Sequence, residues 1–142
     1  KKTVPYKRIS TIINGPEARL PDGRSFETRD GKERFEIRTE WWRPLVGRTA
    51  KDIAYQGGIP EIPDVAPVSY PQITEIGEDA PITFFGHYAI MGEEPKPILP
   101  NLACLDYGMA KGGLLVAYRW DGEAKLDDSK FISIPQRKDN NE

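Results

Sequence analysis

Three runs in the second half of the chain, ITFFGHY at 82–88, NLACLDYG at 101–108 and LLVAYRW at 114–120, are apolar at consecutive positions and do not alternate. Each is short and rich in aromatic or branched residues, the pattern of a strand covered on both faces. Strands of that kind need a layer of structure on each side. The remainder of the chain predicts only two short helices and one hairpin, too little to supply those layers. Either a further piece of protein or a second copy is expected to cover what is left bare. Segments 102–105 and 114–118 are expected as adjacent, mostly buried strands with Gly112-Gly113 in their connection. KFISIP at 130–135 reads as a weaker strand with Ile132 and Ile134 on one face, and QRKDNNE at 136–142 as a polar, disordered tail.

The first half supplies the lesser elements. In VPYKRISTIINGPE, Ile9, Ile12 and Ile13 recur at helical spacing, and Asn14-Gly15-Pro16 is a stop signal, so a helix is predicted to end there. In RSFETRDGKERFEIRTEWW, Asp30-Gly31 is a strong hairpin signal. A two-residue turn there predicts Phe26 opposite Phe35 and Glu27 opposite Arg34. RTAKDIAYQGG predicts a short helix with Thr49 as N-cap, Asp52 in the first turn and Gly57-Gly58 as the stop. Residues 59–79 hold Pro60, Pro63, Pro67 and Pro71 with no sustained period, which predicts a long ordered loop. No internal repeat occurs. The fold class that follows is α+β, mainly antiparallel.

With 142 residues one domain is expected. Lys and Arg total 20 against 22 Asp and Glu, and the basic residues are scattered, so neither nucleic acid nor an anionic membrane is an expected partner. A single cysteine, Cys104, rules out a disulfide framework within the chain and reads as a buried thiol in a reducing cytoplasm. No apolar run approaches the roughly 18 residues of a membrane span, and the opening KKTVPYKR has no secretory core.

His87 is the one histidine, placed after Gly86 at the end of an apolar run. A strand end presents a side chain where ligands bind, and a preceding glycine permits close approach. The ordinary alternative is a hydrogen-bonded core or boundary histidine. Asp106 is either a carboxylate that orients His87 or a loop backbone, or an Asx-type turn residue. Lys111-Gly112-Gly113 reads as a turn, since it lacks the spacing of a phosphate-cradling loop. Trp41 and Trp42 could stack a nucleobase, or could simply pack.

The string at 84–126, FFGHYAIMGEEPKPILPNLACLDYGMAKGGLLVAYRWDGEAKL, resembles the C-terminal portion of calcineurin-like metallophosphoesterases, on the branch near symmetrical diadenosine tetraphosphatases and serine/threonine protein phosphatases. INGPEARLPDGRSFETRDGKERFEIRTEWW at 13–42 is similar to the segment between their central and final metal motifs. The resemblance implies a two-metal centre (Mn, Fe, Zn or Co) in which His87, from the Gly86-His87 pair, binds one metal while a bridging hydroxide attacks phosphorus. GDxHG, GDxxDRG and GNHE do not occur in this chain, and Ala89 stands where one subgroup has a second histidine. The resemblance therefore implies that residues 1–135 are the C-terminal part of a four-layer αββα sandwich whose natural partner is the absent N-terminal half. The parent's substrate is then a phosphorylated small molecule, nucleotide or phosphoprotein. The chain alone is expected to hold no metal, to be inactive and to self-associate. Rival readings are a non-catalytic β-rich interaction domain with a structural His87, and a nucleotide-binding module using Trp41 or Trp42.

Overall fold

The computed structural model describes residues 4–28, 31–55, 61–71, 76–77 and 79–137. The chain divides into two compact units, Lys1–Glu75 and Ile76–Glu142.

The first unit opens with helix α1, Val4–Asn14, which ends as expected at Gly15 in the left-handed region, followed by Pro16. Its apolar residues Tyr6, Ile9, Ile12 and Ile13 are exposed. Strand β1 (Glu17–Arg19) pairs antiparallel with a later strand, Glu36–Arg38, and sets the buried Ala18 opposite the buried Ile37. Between them lies a hairpin of β2 (Phe26–Glu27) and β3 (Glu33–Arg34), which makes Glu36–Arg38 strand β4.

The hairpin register corrects the expectation. Phe26 faces Arg34 and Glu27 faces Glu33. Thr28 N–H donates to the Lys32 carbonyl and Gly31 N–H to the Thr28 carbonyl, so the pairing reaches Thr28 and Lys32 and leaves three positions between them, with Gly31 at φ +74°. A left-handed glycine in that place closes a three-residue loop, whereas the expected two-residue turn would have put it in the centre. The extra residue slides the register by one. Phe26 enters the core while Phe35 stays exposed. Residues 29 and 30 lie outside the described residues.

Helix α2 (Ala50–Ile53) starts where predicted. The Thr49 hydroxyl accepts from Asp52 N–H while the Asp52 carboxylate accepts from Thr49 N–H, satisfying two otherwise orphaned donors. It ends at Ile53, and Gly57-Gly58 lies outside the described residues. The core of this unit is Ala18, Leu20, Phe26, Ile37, Leu45, Ala50, Ile53 and Ala54, with Ile62, Val65 and Tyr70 packed against it. Those last three come from the proline-rich segment, whose described residues form neither helix nor strand. The Tyr70 hydroxyl ties that segment down by donating to the Arg48 carbonyl at 2.6 Å.

In the second unit β5 (Thr83–Phe85) pairs in parallel with β6 (Leu102–Cys104). Residues 86–101 between them are long enough for the crossover a parallel pair requires. After Leu105 the chain continues as β7 (Asp106–Tyr107), a 3-10 turn (Met109–Lys111), β8 (Leu114–Tyr118), a second 3-10 turn (Asp128–Lys130) and β9 (Phe131–Pro135). The last three strands form an antiparallel sheet in the order β7-β8-β9. The expectation that 102–105 and 114–118 are neighbours is corrected: β6 pairs with β5, and β7 takes the place beside β8, with Gly112 and Gly113 in their connection. Burial on both faces holds for β6, whose three residues are all inaccessible to solvent. It fails for β8, where Val116 is buried but Leu115 and Ala117 are exposed. Leu115 sits opposite Ile134 and Ala117 opposite Ile132, so one face of the sheet carries an exposed apolar patch.

The architecture is α+β, with few helices and several small, mostly antiparallel sheets. Among the described residues no helix is long and apolar enough to cross a membrane. Residues 138–142 of the polar tail lie outside the described residues.

Candidate functional site

His87 and Asp106 each lie two residues past the C-terminal end of a strand, β5 and β6 respectively. Because those strands run parallel and in register, both residues emerge at the same end of the pair. The C-terminal ends of parallel strands are where open sheets bind ligands. Leu105 N–H donates to the Phe85 carbonyl at 2.8 Å, continuing the ladder up to the site.

The Asp106 carboxylate joins the two loops. Its Oδ2 accepts from His87 N–H at 3.1 Å and its Oδ1 from Gly108 N–H at 3.0 Å. The contact to Gly108 is a local Asx-type bond, and the one to His87 reaches the backbone of a distant loop and not the imidazole. His87 itself has φ +71°. For a residue with a Cβ that conformation costs about 1 kcal/mol, and such outliers cluster where a site constrains the backbone. The left-handed position falls on His87 and not on Gly86, whose absent Cβ would meet only the Asp106 Cβ at an ordinary 3.8 Å.

The imidazole of His87 is exposed, and among the described residues no hydrogen bond engages either ring nitrogen. Among the described residues it has neither the burial nor the ring partner of a core histidine. Beside it opens a hollow of about 480 Å³ lined by Phe84, Phe85, Leu105, Met109, Leu115 and Val116 in addition to His87 and Asp106.

Beneath the site, Cys104 is buried and its thiol donates to the Tyr88 carbonyl at 3.2 Å. Burial, followed by the nearby Asp106 charge against a compensating backbone hydrogen bond, pushes the thiol up to about 11. A thiol held protonated in this way is a poor nucleophile. Lys111 and the two glycines form the predicted turn, Lys111 N–H donating to the Gly108 carbonyl. Farther along, the Tyr118 hydroxyl donates to Glu123 Oε1 at 2.6 Å, while Glu123 Oε2 meets Lys130 Nζ at 3.0 Å. The run YRWDGE at 118–123 belongs to the string that carries the family resemblance, but nothing in it announces the pairing with Lys130.

Among the described residues no three of His, Cys, Asp and Glu converge to hold a metal ion. Each Asp106 oxygen accepts one backbone N–H, while among the described residues the His87 ring nitrogens have no hydrogen-bond partner. By themselves the residues present do not fit a binuclear centre. Trp41 and Trp42 belong to the first unit, in a turn, half-buried, with their rings packed edge to face at 5.7 Å and 78°. No family model, curated protein or solved structure matches this chain.

Proposed function

We propose that this chain is the C-terminal part of a metal-dependent phosphoesterase and that His87 contributes one imidazole to a metal centre completed by residues outside these 142. The observation that carries the reading is the exposed His87 ring, without a hydrogen-bond partner among the described residues, on a left-handed backbone at the C-terminal end of a parallel strand pair. The resemblance of the segments around Gly86-His87 and at 100–123 to calcineurin-like phosphoesterases supplies the chemistry. Two divalent metals would stabilise charge developing on a phosphate ester or phosphoanhydride. On this reading the exposed face of β8 and β9 is where further layers of a four-layer αββα sandwich would rest, and the compartment is the cytoplasm.

The test counts ligands. A catalytic metal needs at least three protein ligands, so the 142-residue chain is expected to show no hydrolysis of p-nitrophenyl phosphate with added manganese. A longer chain that carries upstream aspartate and histidine motifs is expected to turn it over, and His87→Ala is expected to abolish that turnover. Activity of the longer chain that survives His87→Ala would overturn the assignment of His87. Turnover by the short chain would overturn the idea that its site is incomplete.

One observation favours a second reading, a non-catalytic interaction domain: Leu115, Ile132 and Ile134 are each 57% exposed on one sheet face. On that reading His87→Ala changes no activity in any longer form of the chain.

A further inference from the structure

Two residues at this site stand in the left-handed region, His87 at φ +71° and Gly108 at φ +67°. The backbone N–H of each donates to a different oxygen of the same carboxylate, Asp106. Glycine adopts this conformation freely, and histidine does not. We propose that Asp106 is the positioning residue of the site: its carboxylate imposes the left-handed conformation on His87, and so decides where the imidazole points. What the imidazole is used for rests on the phosphoesterase reading; how it is held does not.

Among the described residues the His87 N–H donates to the carboxylate and to no other group. Nearby main-chain carbonyls are engaged by other groups: that of Phe85 receives Leu105 N–H, and that of Tyr88 receives the Cys104 thiol. Ile90 N–H donates to the Asp106 main-chain carbonyl at 3.0 Å, so residues 87 and 90 both bond to Asp106. Asp106 is itself fixed by its place in β7, opposite Leu115. A carboxylate on a strand is a rigid anchor, and hydrogen bonds to a charged acceptor are about twice as strong as neutral ones. Such a bond is strong enough to hold a backbone strain of the size carried by His87.

A double-substitution cycle on the 142-residue chain tests this. While the carboxylate imposes φ +71°, His87→Gly relieves strain and should lower the unfolding equilibrium constant about fivefold. In Asp106→Ala the loop is released, residue 87 returns to negative φ, and His87→Gly should bring no gain. The one-bond Cα–Hα coupling and carbon shifts of residue 87, which report the sign of φ, should change accordingly in Asp106→Ala and stay unchanged in a control, Lys111→Ala. Should Asp106→Ala fail to fold, Asp106→Asn serves, because an amide oxygen accepts from only one of the two N–H groups on that side and the amide nitrogen repels the other. An equal gain from His87→Gly in both backgrounds, or a residue 87 that remains left-handed without the carboxylate, would overturn the proposal. Neither result bears on whether His87 binds metal, which the activity of a longer chain decides separately.

Discussion

At the residue scale the most informative positions are those whose neighbours contradict their sequence context. Phe26 and Phe35 look alike in the sequence, and only one is structural: Phe26 is buried in the first unit's core, and Phe35 is 41% exposed. Phe26→Ala is therefore expected to destabilise by ~3 kcal/mol and Phe35→Ala by under ~1 kcal/mol, read by denaturant unfolding. Cys104 was legible as a buried thiol from its apolar neighbours, and its behaviour with pH follows. Its pKa in the fold is raised from 9.0 to about 11. The folded state thus holds its proton more tightly, and this contribution is complete below pH 9 and lost as the pH rises through 11. Unfolding followed from pH 8 to 11 should show a fall in stability that is smaller in Cys104→Ser, and iodoacetamide should label the native chain far more slowly than the unfolded one.

At the scale of elements, the turns decide the register. The Asp30-Gly31 dipeptide announced a hairpin, but loop length, which no dipeptide specifies, set which residues face each other. Gly112 and Gly113 make the same point in the β7–β8 connection. Gly112 needs glycine for its φ of +87°, whereas a Cβ on Gly113 would be driven into the Tyr107 carbonyl oxygen. Gly112→Ala should cost about 1 kcal/mol, and Gly113→Ala ~3 kcal/mol or more, because a backbone atom has to move. The connection from β8 to β9 is held by charge. Hydrogen bonding from Tyr118 above all, and then from Lys130 and backbone N–H groups, holds the Glu123 carboxyl at about 2, well below its ordinary 4.5. A carboxyl depressed in the fold stabilises above its ordinary pKa and loses that contribution as the pH falls through 2. The protection of amides at 119–130, measured against their intrinsic exchange rates at each pH, should accordingly fall between pH 4.5 and 2, and Glu123→Gln should show the lowered protection already at pH 7.

At the scale of the whole molecule, the unanswered demand is the apolar sheet face. Leu115, Ala117, Ile132 and Ile134 share it, and large bare patches are uncommon on soluble proteins. The β9 edge offers a poor route for a second copy to add a strand. Lys130 and Gln136 direct their backbone groups towards β8, so the odd residues face outward, and among these Pro135 has no N–H to give. Association should therefore use the face and not the edge. Sedimentation velocity of the 142-residue chain is expected to show an oligomer, and Leu115→Lys with Ile134→Lys to return it to monomer; a monomer without those changes would remove the case for self-association.

What the sequence determined by itself was local. Caps at Thr49 and Gly15, the hairpin's existence, the burial of β6 and the apolar pairing of Ile132 with Ile134 on one face all rest on interactions a few residues long, or on a period of two or 3.6. His87 could be named because it is the one imidazole in the chain. The tertiary structure decided the rest, because it concerns partners distant in sequence: that β6 lies parallel to β5, that Asp106 reaches back to His87, and that the strain falls on the histidine instead of the glycine before it. Strand order depends on where a sixteen-residue crossover returns, and a backbone dihedral depends on the carboxylate that grips it. No window of neighbouring residues contains either piece of information.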